Sequence, residues 1–152
     1  MRVPAVIVIL LLAAFFQNSP AFFVLGVKPD LVLAAFIAAA FYAPNFLNYL
    51  LMIFLPVVFL KSGFVWQWEP VIVAVSGMLA FYLTKRLPWH PLVNVLVCVT
   101  AATVLFYVFF DNLFLVGNWA ILGLELAYNL IFAALFFYTF QVCLKTNSML
   151  RT

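Results

Sequence analysis

The chain has 152 residues, 70% of them apolar and 7% charged, against roughly 25% charged in an ordinary soluble domain. This excludes a water-soluble fold and leaves no stretch outside the apolar runs able to bury a separate core, so residues 1–152 read as one integral membrane domain. The net charge of +3 reads as a membrane-orientation signal rather than an acidic-ligand site, and nothing points to nucleic acid.

A crossing helix needs about 20 residues, so six crossings use roughly 120 and leave about 30 for ends and connections, whereas seven leave almost no loops. The first predicted span runs from Val3 to Phe16 and meets a polar break at Gln17, Asn18, Ser19 and Pro20, placed at the interface. The run imitates a secretory signal, but Ser19-Pro20-Ala21 is a poor cleavage site and the chain beyond it is equally apolar, so no cleavage is expected. Lys28, Pro29 and Asp30 open span two, with proline in the first turn and the aspartate complementing the positive helix end. That span ends near Tyr42.

Span three covers Phe46 to Leu60 with a kink expected at Pro56. Lys61 to Glu69, with Trp66 and Trp68, forms an interfacial aromatic loop. Span four runs from Pro70 to Thr84, and Leu87 to Pro91 makes a rigid connection to span five, Leu92 to Phe110. Span six runs from Asn118 to Leu144. All are helices, because a strand barrel needs alternating polarity and no segment alternates. Spans two, three and four are short, at about 14 to 17 core residues, and must thin the bilayer, snorkel their ends or be shielded by neighbours. With the N-terminus inside, Arg2, Lys85, Arg86, Lys145 and Arg151 face the cytoplasm and only Lys28 and Lys61 face outward. Both termini are therefore expected in the cytoplasm, with Asp30, Glu69 and Asp111 outside.

Catalysis in a membrane needs a nucleophile, base or metal set within hydrogen-bond reach. The only histidine, His90, falls in a proline-bracketed loop, and Cys98 and Cys143 lack partners at metal-ligand spacing. The expectation is no enzyme activity, no metal and no cofactor. Glu125 is the one ionisable residue well inside a span, and Asn129 follows at i+4 on its face. They either staple span six to span five through Asn94, Thr100 or Thr103, which is the leading reading, or receive a partner helix or a ligand. Asp30 and Asn94 complete the candidate contact residues. Small residues recur at four-residue spacing at Ala34/Ala38, Ala35/Ala39, Ser76/Ala80 and Gly123/Ala127, read as packing surfaces inside the bundle. Nineteen phenylalanines exceed what one six-helix core can bury, so most are expected against lipid or a partner.

The order of features resembles the MreD family of bacterial rod-shape-determining membrane proteins. The resemblance rests on the first span ending in Gln17-Asn18-Ser19, on Gly26 before Pro29-Asp30-Leu31, and on a last helix with Asn129 followed by Ala133, Leu135 and Tyr138. It covers nearly the whole chain. Members commonly carry a glycine-rich third span ending in a Gly-Leu-Leu-X-Asp-like stretch, whereas Leu47 to Gly63 here has Pro56 and Lys61 and no aspartate. The resemblance implies a non-enzymatic inner-membrane subunit of the cell-elongation machinery, binding the bitopic protein MreC and associated with MreB, RodA and a penicillin-binding transpeptidase. It further implies a six-helix bundle similar to the substrate-binding components of energy-coupling-factor transporters. That similarity supplies the alternative function, a vitamin- or ion-binding uptake component whose outer residues would be Trp66, Gln67, Trp68, Glu69, Asn112 and Asn118.

Overall fold

The computed structural model describes residues 3–19, 27, 29–60, 69–110 and 117–145. Among these residues the chain is all-helical, with six helices: α1 (Val3–Asn18), α2 (Leu31–Tyr42), α3 (Phe46–Leu60), α4 (Glu69–Arg86), α5 (Pro91–Phe110) and α6 (Trp119–Lys145). The observed ends lie within two residues of the expected ones, except that α2 begins after Asp30 rather than at Pro29. Pro29 therefore precedes the cap instead of occupying the first turn. Helix α3 continues through Pro56, and the expected aromatic loop with Trp66 and Trp68 lies outside the described residues.

Among the described residues two helices are long and apolar enough to cross a membrane, over Pro91–Phe109 and Trp119–Cys143. Helix α2 has 12 residues, about 18 Å of helix against a hydrocarbon core of about 30 Å. It is the centre of the molecule. Every residue from Leu31 to Ala40 is buried, with α6 and α4 against it most extensively and α1 and α5 next. Around it the neighbours run α1, α3, α4, α5, α6. Ala34, Ala35, Ala38, Ala39 and Ala40 explain this position, because side chains of one carbon let several helices approach one axis.

The small central helix also decides where the aromatics go. Phe36, Phe81, Phe137 and Phe140 are buried, and Phe15, Phe16, Phe54 and Phe109 are exposed. Phe41, Phe46, Phe106, Phe132 and Phe136 are half-buried, so nine of the thirteen phenylalanines with described side chains keep surface on the outside, in line with the expectation. Tyr49 donates to the Phe36 carbonyl at 3.2 Å and stacks on Phe81 at 5.3 Å between centroids. Tyr42 donates to the Phe137 carbonyl at 3.1 Å. The alanine pairs on α2 and Ala80 pack inward, but Gly123 and Ala127 are exposed on the outer face of α6, which corrects their assignment to bundle packing. The outside is apolar, with Leu12, Leu47, Phe54, Phe109, Ile131 and Val142 all exposed.

Successive helices alternate in direction. The start of α2 meets Asn129 and its end meets Phe137, so α2 and α6 run parallel, while α5 pairs with α6 antiparallel through Thr103 and Asn129. The end of α1 meets the start of α2 through Gln17 and Leu31. The start of α1 and the end of α6 therefore lie at the same end of the bundle.

Candidate functional site

A helix begins with backbone N–H groups that have no partner within the helix. For α2 those groups point into an apolar interior, where an unsatisfied donor costs about 1–3 kcal/mol. Three side-chain oxygens meet them, from the end of α1, the cap of α2 and the interior of α6. The Asp30 N–H donates to Asn129 Oδ1 at 2.8 Å, the Leu31 N–H to Gln17 Oε1 at 2.8 Å, and the Leu33 N–H to Asp30 Oδ1 at 2.9 Å. Asp30 is thus the N-cap, in the role its side chain suits best.

Asn129 is completely buried and uses both ends of its amide, since its Nδ2 donates to Thr103 Oγ1 at 3.1 Å. One turn earlier on α6, buried Glu125 accepts from the Tyr107 hydroxyl. Thr103 and Tyr107 are four apart on α5, as Glu125 and Asn129 are on α6. Because the two helices are antiparallel with equal rise, the pairs lie level, Thr103 with Asn129 and Tyr107 with Glu125. The result is one polar cluster, Gln17, Asp30, Thr103, Tyr107, Glu125 and Asn129, joining α1, α2, α5 and α6 near the end where α2 begins.

Of the four candidate residues, Glu125, Asn129 and Asp30 come together here and Asn94 does not. Asn94 lies nine residues before Thr103, about 13 Å along α5, and its Nδ2 donates to the Leu87 carbonyl at 3.1 Å. It ties the α4–α5 connection, and its assignment to the staple is corrected. Thr100 is corrected likewise, because its hydroxyl donates to the Leu96 carbonyl of its own helix at 3.0 Å. Gln17, expected at the membrane interface, is in addition a partner of α2. Tyr107 is not among the sequence candidates, although its i+4 spacing from Thr103 mirrors the α6 pair and is the signal that would have found it.

The remaining candidates lie elsewhere. His90 is exposed, and its Nδ1 accepts from the Leu92 N–H at 3.3 Å at the start of α5. Cys98 is buried, Cys143 is half-buried, and neither is in a disulfide. Trp66, Gln67, Trp68 and Asn112, together with the side chain of Glu69, lie outside the described residues; Asn118 is exposed at the start of α6. Among the described residues no three His, Cys, Asp or Glu side chains converge to hold a metal ion. Chemically, the cluster is an interhelical fastening made of two carboxyl groups, one of them the cap of α2, with two amides and two hydroxyls. A comparison of the chain with protein-family models, with curated proteins and with solved structures finds no match.

Proposed function

We propose that this chain is a six-span inner-membrane protein with both termini in the cytoplasm, acting as a non-catalytic, MreD-like subunit of the bacterial cell-elongation machinery that docks a bitopic MreC-type partner. One observation supports the reading most strongly. The three chain segments that carry the resemblance, ending in Gln17-Asn18-Ser19, opening at Pro29-Asp30-Leu31 and centred on Asn129, meet in one hydrogen-bonded cluster. A pattern whose separated parts share one structural task behaves as a signature rather than as a coincidence of apolar composition.

Six crossings are compatible with the short helices, because α2 is shielded on all sides and its exposed-end problem is met by protein groups instead of lipid. The alternating helix directions agree with the charge asymmetry, since Lys85 and Arg86 close α4 at the end opposite the polar cluster. Capture of the tagged protein from native bacterial membranes tests the function. Recovery of an MreC-type bitopic protein is the expected result. Recovery of transporter ATPase subunits would replace this reading with a small-molecule uptake component.

A further inference from the structure

A groove of about 280 Å³ lies on the outer surface between α3 and α4, lined by Leu47, Leu50, Ile53, Phe54 and Val57 of α3 and Met78 of α4, without a polar side chain. From Leu47 to Val57 the helix rises about 15 Å. That is half of a hydrocarbon core of about 30 Å, the depth of one leaflet. The cleft between α4 and α5, at about 60 Å³, is too small for a comparable chain.

The Leu47 end of the groove is positively charged. Pro44, three residues before Leu47, accepts a hydrogen bond from Lys85 Nζ at 3.4 Å, and the same ammonium stands 4.0 Å over the Phe81 ring. An ammonium has three donors, so the Pro44 carbonyl uses only part of its capacity. Arg86 is the next residue, and both cations are exposed. The start of α3, whose Asn48 N–H is capped by Asn45 at 2.9 Å, adds its positive helix end at the same level. The described carboxylates Asp30 and Glu125 lie at the opposite end of the bundle.

We propose that this groove binds one acyl chain of an anionic phospholipid, with the headgroup phosphate held at Lys85 and Arg86. The apolar length selects a lipid chain, and the charge at its mouth selects an anionic headgroup over a zwitterionic one. The proposal rests on the membrane-spanning reading.

Native mass spectrometry of the full chain in mild detergent tests it, using dioleoyl phosphatidylglycerol and dioleoyl phosphatidylcholine as probes with identical chains. The wild type should retain phosphatidylglycerol roughly tenfold better, and Lys85→Gln with Arg86→Gln should bring the two lipids level. Melting of the wild type should rise with phosphatidylglycerol and not with phosphatidylcholine, a readout that needs no variant. Equal retention by the wild type, or a preference that survives the double substitution, would overturn the site. So would a dimer by mass that Ala74→Phe, a substitution at an α4 residue that also lines the groove, converts to monomer, which would assign the groove to a second copy. Alkaline carbonate extraction distinguishes failure of the membrane reading from failure of the site. Release from the membrane defeats the membrane reading and the lipid site together, whereas a resistant protein without lipid preference loses only the site.

Discussion

Asn129 holds together helices that the chain separates by up to 99 positions, and its replacement exposes what a single amide does inside a helix bundle. Interhelical hydrogen bonds in membranes contribute about 0.6 kcal/mol and at most roughly 2, but Asn129→Leu also removes the acceptor of the Asp30 N–H. We expect a clear fall in melting temperature in detergent, larger than for Thr103→Val. The double variant should fall short of the sum, because both changes remove the 3.1 Å bond. Glu125 separates geometry from charge. Glu125→Gln keeps an acceptor for Tyr107 and should melt close to wild type, whereas Glu125→Leu removes that acceptor and should melt lower. If Glu125 only fastens α6 to α5, capture of the partner per folded molecule is unchanged in Glu125→Leu; reduced capture at normal folding would assign it to docking. Gly77 offers a test with a change of sign. A Cβ there would sit 2.5 Å from the Tyr49 hydroxyl, a clash worth about 1–3 kcal/mol against about 1 kcal/mol gained in helix propensity. Gly77→Ala should destabilise the wild type and be neutral or stabilising in a Tyr49→Phe background, as read by paired thermal melts.

Helices α2 and α6 show two uses of small residues. On α2 the alanines are the packing surface of a helix with no exposed side, so Ala38→Leu must push neighbouring helices apart. We expect a loss of about 1–3 kcal/mol or failure to recover folded protein. On α6, Ala127 faces outward, so Ala127→Leu should leave the melting temperature within about 0.5 kcal/mol of wild type. The same substitution pair, measured by melting and by partner capture, distinguishes a face used inside the bundle from one open to the surroundings. The shortest helix is also the one most completely enclosed, which the membrane reading explains by the expense of exposing backbone ends to hydrocarbon.

Across the bundle, the six described helices alternate in direction and bring the start of α1 and the end of α6 to one face. A reporter fused after Arg151 should be active only in a cytoplasmic format, and one placed in the segment between α3 and α4 only in an external format. An external signal at the C-terminus would reverse the orientation argued from five basic residues against two, and the lipid site at Lys85 would then face the outer leaflet.

Composition and periodicity dictated the helical class, the number of helices and nearly all of their ends, because apolar runs punctuated by Pro, Asn and Lys leave few places to start or stop. The same reasoning reached Asp30 as a helix opener, Asn129 and Glu125 as a buried pair, and Thr103 as one possible partner. Helix packing alone chose between Thr103 and Asn94, since both lie on α5 and polarity does not report which level faces Asn129. It alone made Gln17 a cap for α2, because that bond depends on how the chain returns after α1, and it alone paired Tyr107 with Glu125 through the register of two antiparallel helices. Small residues carried the least directional information. Gly123 and Ala127 have the same spacing as Ala34 and Ala38 yet face outward, because spacing defines a face on one helix whereas burial depends on which other helices arrive there.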